Sequence, residues 1–368
     1  MTFLGPLLPI LVARWGISDA VAGRLFLTQF ISSMFGMFMS AQLVQKQGYR
    51  RTFIVGLVLM TVGTALLASG PFLVGVAAVA ILGMGHGITT PAGNLRTAEI
   101  NPQRSASALN VINAVWGVGA LSPSFLLNIA RHLHHPERFL YGTALVLLLL
   151  LAAFSLSRFE PDTHETEAED QSSAAEFFSS GMLVRVSLVF FIYVGSEVAF
   201  GQWVATYAHR INPAEHKFWT MMPAFFYGAL LAGRTLAPLA LKFVRATGVA
   251  QAGLTLALLG GVILVRANGT AWIVIGSLLA GFGLASIFPI SVSLLTTWFG
   301  GAARRASTMI FAMGNLGGAV LPWLVGLVST HSGSLRVAFF VPLMGCTLLM
   351  LFYLLNGQSS RVLAARPQ

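Results

Sequence analysis

The chain has 368 residues, 56% of them hydrophobic and 9% charged, with a formal net charge of +10. So few charges cannot solvate a soluble globule of this size, and the long unbroken apolar runs exclude a membrane β-barrel. The bases lie in short loops between those runs, where they orient a membrane protein rather than bind nucleic acid, and the single cysteine, Cys346, leaves no disulfide framework, no cysteine-based metal site and no expectation of a cofactor.

In chain order, apolar stretches bounded by Gly, Pro or charge predict twelve helical spans, near 2–13, 19–44, 52–69, 72–95, 106–130, 139–157, 182–207, 218–243, 249–266, 270–297, 306–329 and 336–355. The first is the anomaly. Its length corresponds to about 18 Å of helix, whereas the hydrocarbon layer needs about 20 residues, so the first helix is expected to lack an N-terminal half. Spans one to six predict a bundle over 1–157 and spans seven to twelve a second over 182–355, with a tail at 356–368. Between them, 158–181 is an acidic linker carrying Glu160, Asp162, Glu165, Glu167, Glu169, Asp170 and Glu176, without the apolar periodicity to fold alone. Thirteen Lys and Arg fall on the linker side against eight on the other, which predicts both termini in the cytoplasm.

The two halves echo each other. Gly83-x-Gly85-x5-Pro91 returns as Gly281-x-Gly283-x5-Pro289 at an offset of 198. At an offset of 200, Gly48, Arg104, Ala106, Ser107 and Gly117 return as Gly248, Arg304, Ala306, Ser307 and Gly317. Two similar halves in one orientation are the mark of an all-α transporter built from two six-helix bundles related by a pseudo-two-fold axis, with its site near the bilayer midplane.

Of the twelve acidic residues, seven are in the linker and Asp19, Glu99, Glu137 and Glu215 fall at span ends or in loops. Glu197 alone lies well inside a span, about 15 Å from the outer end of the seventh. A carboxylate at that depth is costly unless it meets water, a cation or a partner, so it suits either a proton-loading site group or a protonated brace between helices. Arg234 lies about 24 Å down the eighth span, so a direct pair with Glu197 requires a broken or tilted helix; otherwise it snorkels toward headgroups. On the fifth span Ser107, Asn110, Asn113 and Gly117 recur as a polar stripe expected to face the bundle interior, with Asn94 closing the fourth span and Asn315 in the eleventh. Such amides suit a polyhydroxyl ligand and Trp116, Trp203, Trp298 and Trp323 suit its apolar face, the alternative being helix–helix glue and interfacial anchoring.

After the second span, Ala41 to Arg51 reads AQLVQKQGYRR. This loop, the two bundles and the central linker resemble the major facilitator superfamily, whose pattern there is Gly-x-Leu-Ala-Asp-Arg-x-Gly-Arg-Arg. Leu43, Lys46, Gly48 and Arg51 are kept, while Ala41 replaces the first Gly and Gln45 the Asp that forms the usual cytoplasmic lock. Within the superfamily, YVGSEVAFGQW from Tyr193 to Trp203, Gly233-Arg234 and Asn94 resemble the fucose permease-like branch of sugar:proton symporters. The resemblance implies import of a neutral hexose or deoxyhexose by proton symport with alternating access, in a monomer of the bacterial inner membrane. It places Asn94, Asn110, Asn113, Glu197, Gln202, Trp203 and Asn315 around the substrate, Glu197 as the proton-coupling group, and Arg234, Arg96 and Glu99 as gating or structural charges. Rival readings are a proton-driven exporter of amphipathic compounds and a non-transporting sugar sensor of the same fold. An intramembrane protease is not expected, since no His-Glu-x-x-His, no Gly-x-Ser-x-Gly and no acidic pair occurs in the spans.

Overall fold

A computed structural model describes residues 2–157, 181–211, 218–292 and 303–364, and their secondary structure is helical throughout. In a bilayer core only helices or closed barrels satisfy every backbone N–H and C=O, so apolar runs of this length fold as helices. They are α1 (Leu4–Trp15), α2 (Asp19–Ser69), α3 (Phe72–Ile100), α4 (Ser105–His132), α5 (Glu137–Leu156), α6 (Gly181–Ile211), α7 (Met222–Ala240), α8 (Ala246–Arg266), α9 (Thr270–Leu284), α10 (Ala303–Ser332), α11 (Leu335–Ala338) and α12 (Phe340–Ala364), with short 3-10 turns at Pro102–Arg104 and Trp219–Met221. Among the described residues nine helices are long and apolar enough to cross a membrane. They account for ten of the predicted spans, because the second and third form one element; α1, at 12 residues, and α7 are not among them.

The merger of two spans is a correction with a simple cause. The loop expected around residues 45–51 is a single residue of non-helical backbone, Gly48, at φ 78° and ψ 169°, and the helix resumes directly after it. Only glycine adopts that conformation without steric cost, so one residue breaks the axis where a longer loop was expected.

The chain forms two compact units. The first holds 25–118 and 126–183; the second holds 2–24, 119–125 and 184–368. Within the first, Gly83 of α3 lies against the backbone carbonyl of Gln29 on α2, and Gly85 against Gly56 and Met60 farther along α2. Within the second, Gly281 of α9 lies against the carbonyl of Phe226 on α7, and Gly283 against Gly253 and Ala257 on α8. The repeated Gly-x-Gly therefore does similar work twice: its two glycines admit two helical stretches to backbone contact, one on each side of the Gly48 break of α2 in the first unit, and α7 and α8 in the second.

Candidate functional site

The second unit carries a buried charged cluster. Tyr193 and Glu197 are four residues apart on α6 and so share a face, and Arg234 reaches them from α7. The Tyr193 hydroxyl donates to Glu197 Oε2. Arg234 Nη2 donates to the same carboxylate oxygen at 2.9 Å and to the Tyr193 oxygen at 3.0 Å. The guanidinium carbon lies 5.4 Å from the centre of the Phe288 ring, which is packed 6.3 Å from the Tyr193 ring and 5.9 Å from that of Phe190. Tyr227, seven residues before Arg234, lays its ring against Gly201, where a methyl would overlap it. The pair is neutral as a whole, which is what makes two charges affordable in an apolar surround; either one alone would carry the full desolvation cost. The more accessible member is Arg234, whose side chain is 22% exposed against 10% for Glu197.

The direct ion pair corrects the depth expected from the sequence. α6 runs on to Ile211, past the expected end near 207, and α7 begins at Met222, later than the expected 218. Measured from those ends, Glu197 is about 21 Å along α6 and Arg234 about 18 Å along α7, so the two are nearly level and no broken helix is needed.

The other predicted residues are dispersed. Gln202 is buried on α6, its backbone and amide oxygen against Gly5 of α1. Trp203 is also buried, with its indole N–H donating to the carbonyl of Pro322 on α10 at 2.9 Å, so in this state its polar edge is spent on a neighbouring helix. Asn315 of α10 donates to the Phe311 carbonyl one turn back at 3.0 Å. In the polar stripe of α4, Ser107 and Asn113 are exposed and Gly117 is buried; Asn94 is exposed on α3. The side chain of Asn110 and all of Trp298, like the linker segment 158–180, lie outside the described residues. Arg96 and Glu99 belong to a cluster in the first unit. Fully buried Tyr49, next to the Gly48 break, donates to Glu99 Oε1 at 2.5 Å, while Arg96 lies 3.8 Å from Glu99 Oε2 and 5.2 Å from the centre of the Tyr49 ring. Tyr49, one residue past the break, thus ties the second stretch of α2 to Glu99 of α3.

One charged group escaped sequence reasoning. Asp19, placed among the unremarkable acids at span ends, is only 6% exposed. Arg210 of α6 grips both its oxygens at 2.6 Å, and Ser329 of α10 donates to one of them at 2.5 Å. The sequence showed an acid in the first turn of a helix, a placement the helix dipole already explains, and nothing that pointed to partners 191 and 310 residues away.

Comparison with known proteins agrees with this architecture. The family model of the Major Facilitator Superfamily matches residues 1–233. A glucose/galactose transporter of Brucella abortus is 25% identical over 353 residues, covering 87% of this chain and 81% of that protein. An uncharacterised MFS-type transporter of Yersinia pestis is 24% identical over 362 residues, covering 95% and 89%. The crystal structure of the nucleoside transporter NupG superimposes with a TM-score of 0.78 at 13% identity over 96% of this chain and 94% of that one, a likeness of fold. With the family model matched over most of the chain and the helical architecture above, this protein belongs to the Major Facilitator Superfamily and is a multi-pass membrane transporter.

Proposed function

We propose that the protein imports a neutral monosaccharide, a hexose or deoxyhexose, by proton symport with alternating access, across a bacterial inner membrane and with both termini cytoplasmic. The observation that carries this reading is the Tyr193–Glu197–Arg234 cluster, an ion pair buried in the middle of apolar helices whose more accessible member is a hydrogen-bond donor. The name of the Brucella abortus relative supports a sugar as the cargo. Arg234 and a proton compete for one carboxylate. When a sugar hydroxyl or oxygen takes up Arg234, the Glu197 carboxylate loses its cation in apolar surroundings, and it is the group assigned here to carry the proton. Sugar and proton are then loaded together, and their release restores the ion pair. Asn94, Asn113, Gln202 and Asn315 supply amides to the hydroxyls as the helices move.

The test is thermal stability of the purified protein against hexoses, deoxyhexoses, disaccharides and amphipathic drugs, since a ligand that binds only the folded state must stabilise it. A selective rise with one or two monosaccharides, lost in Glu197→Gln, is expected. In proteoliposomes those sugars should accumulate only under an inwardly directed proton gradient. Stabilisation by several unrelated amphiphiles and by no sugar would overturn the assignment.

A further inference from the structure

The chain has six tyrosines, and five of them are buried. Four of those five commit the hydroxyl to the protein: Tyr49 to Glu99, Tyr193 to Glu197, Tyr207 to the Leu264 carbonyl at 2.5 Å and Tyr353 to Ser291 at 3.1 Å. Tyr227, only 3% exposed, is the exception, because among the described residues its hydroxyl has no hydrogen-bond partner. A buried phenol normally finds one, since an unmade hydrogen bond leaves its desolvation uncompensated. The place of the hydroxyl is set by Gly201 of α6: a methyl there would fall 2.5 Å from the Tyr227 oxygen and 2.6 Å from the ring carbon that bears it. Gly201 is four residues beyond Glu197 on the same face of α6, about 6 Å along the axis toward Ile211. Tyr227 is seven residues before Arg234 on the same face of α7. The two helices thus meet in two polar rungs one turn apart, Glu197 with Arg234 and a bare Gly201 with a phenol that nothing in the protein takes up.

We propose that the Tyr227 hydroxyl is a specificity contact of the cargo site, meeting one hydroxyl of the sugar a helical turn away from Arg234, and that Gly201 is glycine to leave that oxygen its place. The inference rests on the sugar-transport reading above and adds to it a contact for a second hydroxyl. A phenol donates and accepts at once, which suits a sugar hydroxyl better than an ion. A ring sugar carries hydroxyls at both ends, so one molecule reaches Arg234 with one oxygen and Tyr227 with another across about one turn of helix. A relay of protons to Glu197 is the weaker use of this group. The carboxylate oxygen nearest the cluster already accepts from Tyr193 and Arg234, and Tyr227 makes no hydrogen bond to it. Tyr193 and Tyr227 are similarly buried yet differently employed: the first holds the carboxylate, and the second is left for a ligand.

Calorimetric titration of the purified protein in detergent tests this, with D-glucose, D-galactose, D-mannose and L-fucose and then the monodeoxy analogues of whichever binds most tightly. In the parent, at least one analogue should bind about three- to tenfold more weakly than its sugar, for want of the hydroxyl that Tyr227 meets. Tyr227→Phe keeps the ring; it should weaken the full sugar by that factor and bind the sugar and that one analogue alike. Its thermal stability should not fall, because no protein hydrogen bond leaves with the hydroxyl. Gly201→Ala, which keeps the phenol but displaces its oxygen, should weaken the sugar too, and adding Tyr227→Phe to it should lower affinity by no more than about twofold further. Lower stability with undiminished discrimination in Tyr227→Phe would make the hydroxyl a brace and overturn the assignment. Unchanged affinity would overturn it as well, and full multiplication of the two losses would remove the role given to Gly201. If the parent binds none of the four sugars, the sugar reading itself falls and this contact with it.

Discussion

Glu197 is held by two donors of different kinds, a neutral phenol and a guanidinium, and their removal should cost different amounts. Tyr193→Phe loses one hydrogen bond and is expected to lower stability by about 1 kcal/mol. Arg234→Gln leaves a buried carboxylate without its cation and should cost about 3 kcal/mol, most of which returns in the double variant Glu197→Gln/Arg234→Gln. Denaturation of these variants, the single Glu197→Gln variant and the parent in one detergent measures both; additive losses in the Glu197–Arg234 cycle would show that the pair is not coupled. Glu197 was legible in the sequence because an acid in the middle of an apolar run has no ordinary explanation. Its partnership with Arg234 was not, because relative depth depends on where two helices end. The apolar pattern set each of those ends four residues short of, or ahead of, the observed one, about 6 Å apiece. Tyr193 was legible as part of a resemblance but not as a donor, since nothing in a lone tyrosine says which helix it will meet.

Helices in this protein are spaced by glycine. A methyl at Gly283 would overlap backbone of Gly253 and Ala257, so Gly283→Ala should destabilise by about 2 kcal/mol through forced separation of α8 and α9. At Gly142 of α5 nothing lies within 4 Å, and Gly142→Ala should be neutral or stabilising by up to about 1 kcal/mol. The contrast, read by thermal unfolding, separates glycines that admit a neighbour from those that merely fill a helix. Gly48→Ala should also be destabilising, by about 1–3 kcal/mol, from backbone conformation rather than space. The repeat of Gly-x-Gly was visible in the sequence, and so was the doubling it implies. Which helix each glycine admits was not, because spacing along one chain carries no information about the partner across the contact.

As a whole the molecule turns a large apolar surface outward, most plainly on α5, where Leu145, Val146, Leu148, Leu149 and Leu150 are 45–60% exposed. Lipid chains are the medium that makes such a surface stable. A nitroxide at Leu149→Cys, in a Cys346→Ala background, should be more accessible to oxygen than to a water-soluble nickel chelate, and one at fully buried Leu183→Cys accessible to neither. Preferential nickel access at Leu149 would contradict the placement of α5 against lipid. The membrane class and the position of ten of the twelve expected spans were legible because they rest on composition and run length, which survive errors of a few residues. The bonded cluster around Asp19 was not, since it is assembled from three distant segments that each look like ordinary helix ends.

The paired glycines also bear on how two similar halves come to differ. Backbone-to-backbone contact fixes the spacing of three helix stretches in each half before any side chain on their other faces is chosen. Those other faces are therefore free to diverge. At the positions that match Arg234 by the 198- to 200-residue offset, the first half has Met34, Phe35 and Gly36, none of them charged. The chemistry at Arg234 is confined to one half while the glycine framework beneath it is common to both, so the polar site is set by side chains that the spacing of the helices does not dictate.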